Sequence, residues 1–318
     1  MSGDTLTKPE ASAMQDILLA HLKEQRRGRR WKIFFRMLIV LYVTGITILM
    51  FKDVDPKTAE TMQKHVAVVD LSGEISAASN KGASADHLIR GLKAAFEADN
   101  TVAVMLRINS PGGSPVQSAQ VYREITRLRE LNPDKPVYAF AEDIAASGAY
   151  YIASAADRIY ADPASLVGSV GVIMSGFGFS DIMNTVGVER RVYTAGKHKA
   201  FMDPFSKESP ASIDHVETLL DDIHHEFISA VRNGRGDRVK GSNEDLFNGL
   251  IWTGNQAKEL GLVDGIGSVR EIARSEFKTD TLVDYSYKPN PLERLAGRIS
   301  AEFAGALVKA AGGDVHIR

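Results

Sequence analysis

The stretch TVAVMLRINSPGGSP, residues 101–115, passes from a Val-rich run through a paired-glycine turn into a helix start. Residues 101–108 have the apolar and β-branched content of a buried strand. Gly112 and Gly113 allow a sharp turn and leave backbone N–H groups accessible. Ser114 is placed to cap a helix, Pro115 suits its first turn, and Gln117 has capping-box spacing. This strand–turn–helix unit recurs along the chain. HVAVVDLSGEI (65–75), PVYAFAE (136–142), RIYA (158–161), VGVIM (170–174) and RRVYTA (190–195) read as further strands. The stretches 85–98, 115–131, 147–156 and 178–186 read as helices. A long amphipathic helix follows over 212–232, with Val216, Leu219, Leu220, Ile223, Phe227 and Ala230 on one side. The alternation predicts an α/β domain with a largely parallel sheet and surrounding helices.

The 318 residues carry 38 Lys+Arg against 40 Asp+Glu, and 44% are hydrophobic. This balance excludes a disordered chain, a collagen and a multi-spanning membrane protein. A net charge of −2 also argues against a nucleic-acid partner bound through bulk charge. With no cysteine, disulfides, thiolate metal sites and a Cys nucleophile are all removed. There is no H-E-x-x-H pair, and no metal or cofactor is expected.

The charge is uneven. Residues 1–51 hold 8 basic and 4 acidic side chains, and the remaining 267 hold 30 and 36. At the junction lies MLIVLYVTGITILMF (37–51), 15 residues without a charge. Extended back to Trp31 it becomes 21 residues, enough to span a bilayer, with Lys32 and Arg36 near one end where they can snorkel. A cleaved signal peptide is the rival reading, but no small-x-small site follows. An uncleaved transmembrane anchor over 31–51 is expected, after a basic segment over 1–30. Lys23, Arg26, Arg27, Arg29 and Arg30 precede the run, so the positive-inside rule keeps the N-terminus cytoplasmic. Everything after Phe51 is then expected outside the inner (cytoplasmic) membrane, in the periplasm or at the cell surface. A tether over 52–64, a catalytic-type domain over 65–285, and a C-terminal amphipathic helix and tail over 286–318 complete the expected organisation.

Two turns carry candidate chemistry. Gly112 and Gly113, ahead of a helix, suit an oxyanion cradle; an ordinary strand–helix turn is the alternative. In DIAASGAY (143–150), Ser147 opens a helix of small residues that leave its hydroxyl uncrowded; an ordinary helix cap is the alternative. A nucleophilic serine needs a base. None of the eight histidines stands in a triad-like context. The other known base is a neutral lysine, which serves only when desolvated. Lys197 and Lys199, in AGKHKA (195–200), are the candidates.

Five motifs in order, over roughly 65–275, carry a resemblance. They are NSPGG (109–113), AASGAYY (145–151), GSVGV (168–172), GKHK with DPF (196–199, 203–205), and WTGNQA with GLVD (252–257, 261–264). Together with the anchor they resemble the signal peptide peptidase A family of membrane-anchored Ser-Lys serine peptidases. The resemblance implies Ser147 as nucleophile, Lys199 as general base, Ser169 orienting that lysine, and Gly113 supplying an oxyanion N–H. His198 departs from the family, whose members commonly carry tyrosine there. The resemblance further implies a crotonase/Clp-protease-like fold and a homo-oligomeric ring over the membrane, with neighbours lending parts of the site. Signal peptides and other hydrophobic peptides would be the substrates and membrane lipid a partner. Two other classes remain: an acyl-CoA hydratase or isomerase of the same fold, and a non-catalytic membrane scaffold.

Overall fold

A computed structural model describes residues 8–51, 61, 63–77 and 83–288, with side chains over 27–48 in the first stretch. Most of the expected tether, and the C-terminal helix from residue 291, lie outside the described residues. The chain divides into two units, Met1–Thr58 and Ala59–Arg318.

The first unit holds α1, Lys8–Phe51. It starts far upstream of the expected anchor because no proline interrupts the chain between its first turn and Phe51. Within it, Arg27–Ile48 forms 22 residues long and apolar enough to cross a membrane, none of them buried. At 1.5 Å per residue this is about 33 Å, close to the ~30 Å hydrocarbon thickness.

The second unit contains, in order, β1 (His65–Ser72), α2 (Ala85–Glu97), β2 (Thr101–Ser110), α3 (Pro115–Leu131), β3 (Val137–Ala146), α4 (Gly148–Ala153), β4 (Arg158–Ala161) and β5 (Leu166–Gly168). There follow α5 (Ser180–Val186), α6 (Pro210–Arg235), α7 (Asn243–Leu246), β6 (Ile251–Thr253), α8 (Gly254–Glu259), β7 (Gly265–Ile266), α9 (Val269–Phe277) and β8 (Leu282–Asp284). The sheet order is β6-β5-β3-β2-β1-β8, with β4 joining β3 to β7. Every pairing is parallel except β5 with β6, as the alternation of strands and helices predicts.

Side-chain alternation sorts the strands into two faces. Val69, Leu71, Leu106 and Ile108 pack with Leu88 and Leu92 of α2 and Val121 and Ile125 of α3. Val66, Val68, Met105, Tyr138 and Phe140 face the other way, against Val269, Ile272 and Ala273 of α9. Both faces are covered, which is why these strands read as continuous apolar runs. Strand β3 forks. Its first half pairs with β4 and its last three residues with β5, so its end leaves the flat of the sheet just before Ser147.

Two expected strands are absent. The 170–174 and 190–195 stretches are irregular, and neither pairs into the sheet. From Gly171 to Glu226 no residue is buried. Ile173, Phe177 and Tyr193 are more than four-fifths exposed. Helix α6 buries Phe227, Ala230, Val231 and Arg235 only, so the upstream half of its apolar side stays partly open.

One buried ion pair anchors the C-terminal end of α6. The fully buried Arg235 side chain donates from Nη1 to Asp264 Oδ2 at 2.6 Å, and from Nε and Nη2 to the Gly261 carbonyl. Burial pushes the Asp264 carboxyl up, but hydrogen bonds from Arg235 and from the Ile159 N–H hold it below its usual value. The carboxylate therefore stabilises the fold above the ordinary Asp range, and that stabilisation is lost as pH falls through the depressed value. Arg235→Met is expected to cost about 3 kcal/mol by removing the buried partner of this carboxylate, which keeps only Arg238 at 3.3 Å and the Ile159 N–H, read as a lowered urea midpoint of the full chain in detergent. The double variant with Asp264→Leu should recover part of the loss.

Candidate active site

Ser147 stands where β3 ends and α4 begins. It is a non-glycine residue at φ 52° and ψ −127°, a conformation a serine holds only when its surroundings impose it. Its N–H donates to the Gly168 carbonyl at 2.8 Å, and Tyr151 N–H donates back to its own carbonyl. Ser147 is at the cap position of α4, yet its hydroxyl makes no capping bond. Its side chain is therefore not used up as an ordinary cap. The sequence lacks the G-x-S-x-G pattern, but the backbone makes the same kind of strained strand-to-helix turn.

The paired glycines pack directly on this turn. Gly112 lies at φ 103°, and a Cβ there would stand 2.7 Å from the Ser147 Cβ and 2.8 Å from the Gly148 nitrogen. Gly113 lies at φ 146° and is strapped by Ile75, whose N–H donates to the Gly112 carbonyl and whose carbonyl accepts from the Ser114 N–H. Among the described residues, neither the Gly113 nor the Gly148 N–H donates to a backbone carbonyl. Two free donors thus flank Ser147, the second at the first turn of a helix. Asn109 ties the two motifs together, donating from Nδ2 to Asp143 Oδ2 at 2.9 Å.

Ser147, Gly113 and Gly148 line a cavity of about 470 Å³. Val116 and Ala119 of α3, Tyr151 of α4, and Ile223 and Phe227 of α6 supply its apolar wall. Tyr151 is held edge-on to Tyr122 and tilted against Phe227, with ring centroids 5.3 and 5.0 Å away. Burial pushes the Tyr151 phenol up to about 12, so it stays protonated at neutral pH. Arg123, Asp222 and Glu226 supply the cavity's charged groups. The Gly148 donor and the Tyr151–Phe227 wall were missed by sequence reasoning. Gly148 was legible in principle as the first N–H of the helix after Ser147, but nothing in sequence joins α4 to α6.

The other expected site residues divide. Ser169, at φ 51°, follows the glycine whose carbonyl holds Ser147, and its own N–H donates to the Leu250 carbonyl at 2.8 Å. Lys199 is not brought into the cavity lining. It is exposed in a run of turns, its N–H bonded to the Gly196 carbonyl at 3.1 Å. No described histidine lines the cavity either, and the described residues contain no His, Cys, Asp and Glu group able to hold a metal ion.

The model of peptidase family S49 matches residues 129–282. A putative signal peptide peptidase SppA from Enterococcus faecium is 31% identical over 252 residues, 76% of this chain and 72% of that protein. The chain belongs to peptidase family S49. Its S49 domain contains the Ser147 turn, Ser169 and Lys199, while the Gly112–Gly113 turn precedes the matched residues. A further relative, a Na(+)/H(+) antiporter NhaA from Brucella abortus (strain 2308), is 41% identical over 239 residues. That match covers 72% of this chain, which spans 31% of the antiporter's length. Among solved structures, a lysine-to-alanine mutant of the 1510-N membrane-bound stomatin-specific protease with a substrate peptide gives TM-score 0.44 at 16% identity. It covers 75% of this chain and 99% of that one.

Proposed function

We propose that this S49 chain is a membrane-anchored serine endopeptidase that cleaves signal peptides and other apolar peptides left at the bilayer. The observation that carries this reading is Ser147: a strained, uncapped serine between two free N–H donors, opening into an apolar cavity. Ser147 Oγ attacks the peptide carbonyl as Lys199 Nζ takes its proton. The Gly113 and Gly148 N–H groups hold the oxyanion, each worth about 3 kcal/mol in the transition state. Lys199 returns the proton to the leaving amine, then deprotonates the water that frees the acyl group. Ser169 orients the lysine.

A lysine acts as a base only when water is stripped from it, and exposed Lys199 meets that condition only once covered. The bare apolar surface of 171–223 supplies the means. Ile173, Phe177, Tyr193 and Ile223 are exposed in one chain and would be buried between copies. In a homo-oligomeric ring, the 195–200 segment of one copy reaches the Ser147 cavity of the next. The 22-residue span anchors this ring in the inner membrane, N-terminus cytoplasmic.

Lys199→Ala is expected to abolish cleavage of an apolar fluorogenic peptide by the detergent-purified chain. Coexpression of Ser147→Ala and Lys199→Ala chains in equal amounts should then restore about a quarter of wild-type activity, since one adjacent pairing in four joins an intact serine to an intact lysine. Full activity of Lys199→Ala alone would overturn the assignment of the base. A silent mixture would place both groups in one chain.

A further inference from the structure

The membrane-proximal turns of α1 have two unlike sides. At 100° per residue, Trp31, Phe34 and Phe35 share one side. Their rings touch, with centroids 5.6 to 5.8 Å apart. Arg29, Lys32 and Arg36 follow i, i+3, i+7 spacing on the opposite side, all exposed. No acid occurs between Glu24 and Asp53, so these three cations have no partner in their own stretch of helix. Directly beyond them, an apolar groove runs along the same helix past Ile33, Met37, Val40 and Thr44 to Ile48. Arg36 lines its upper end. Gly45 notches it, with nothing within 4 Å of the position its Cβ would take.

We infer that this side of α1 is a binding site for an anionic phospholipid. Its phosphate lies among Arg29, Lys32 and Arg36, and one acyl chain lies along the groove toward Gly45. The charges select the headgroup, because a phosphate close to several guanidinium and ammonium groups is held far more strongly than a zwitterion whose amine they repel. The groove selects a lipid over free phosphate, because it offers an apolar track one helix turn below the cations. The aromatic side fixes the depth of the helix at the interface, which keeps the cations at headgroup level.

Native mass spectrometry of the full detergent-solubilised chain, titrated with phosphatidylglycerol or phosphatidylcholine, tests this independently of peptidase activity. Retained adducts should favour phosphatidylglycerol by at least about fivefold, the effect of one well-held headgroup contact. Arg29→Gln with Arg36→Gln should remove the preference. Arg27→Gln with Arg30→Gln removes the same charge from the aromatic-facing side and should leave it intact. Gly45→Leu should shorten adduct retention without changing the headgroup preference. Equal loss in both double variants would show a diffuse charge effect and overturn the site, as would equal binding of the two lipids by the unaltered chain. Binding of inorganic phosphate as tightly as phosphatidylglycerol would overturn the acyl-chain groove.

Discussion

Ser147→Ala is expected to reduce kcat for peptide cleavage by about 10⁶, some 8 kcal/mol of transition-state stabilisation, because a removed nucleophile has no substitute in the cavity. The fold should be indifferent to the change. The Ser147 hydroxyl caps nothing in α4. Alanine at φ 52° is strained to about the same degree as serine, so stability should move by less than about 0.5 kcal/mol. An unchanged unfolding midpoint with lost turnover, measured on one preparation, separates a chemical role from a structural one. A residue whose strain serves only packing would give the opposite pattern.

Gly113→Ala is expected to have the second largest effect, and it acts on both fold and chemistry. At φ 146° a side chain is strained, and the new methyl would collide with the Ile75 carbonyl. Relief requires the 112–114 turn to move away from the Ile75 strap, which carries the Gly113 N–H away from Ser147. The loss of one oxyanion donor lowers kcat by about 10² to 10³. Because the donor acts mainly on the tetrahedral intermediate, KM should change much less than kcat. A mutant with normal kcat and a lowered unfolding midpoint would assign Gly113 to the turn alone.

The sheet was legible because its signals are local. Residues 65–161 alternate Val- and Ala-rich runs with helices, and each element can be read within its own window. Ser114 caps α3 as its spacing requires, accepting from the Gln117 N–H at 3.4 Å. The stretches 170–174 and 190–195 were misread as strands for the converse reason, while the helix expected between them forms as α5. Their apolar residues have the composition of strands, but a strand is made by pairing with a neighbour, which composition within a window does not encode. Those apolar residues are instead exposed, as surface awaiting a neighbour would be. The site was half legible. Ser147 and the paired glycines each follow a strand, and parallel strands bring their C-terminal ends together. The positive φ of Ser147 is set by the Gly168 contact and the fork of β3, neither of which is written in the residues near it. Lys199 sits on an exposed run of turns outside the cavity lining, so the role proposed for it requires that a second chain cover it.

The most direct test of Ser147 as the nucleophile is to trap the acyl group. The detergent-purified chain is mixed with an activated acyl ester, quenched in acid, digested and mapped by mass spectrometry. The account predicts one acyl mass increment, on the fragment containing Ser147, absent in Ser147→Ala and absent after denaturation before mixing. An increment on any other residue, with peptide cleavage intact in Ser147→Ala, would contradict it.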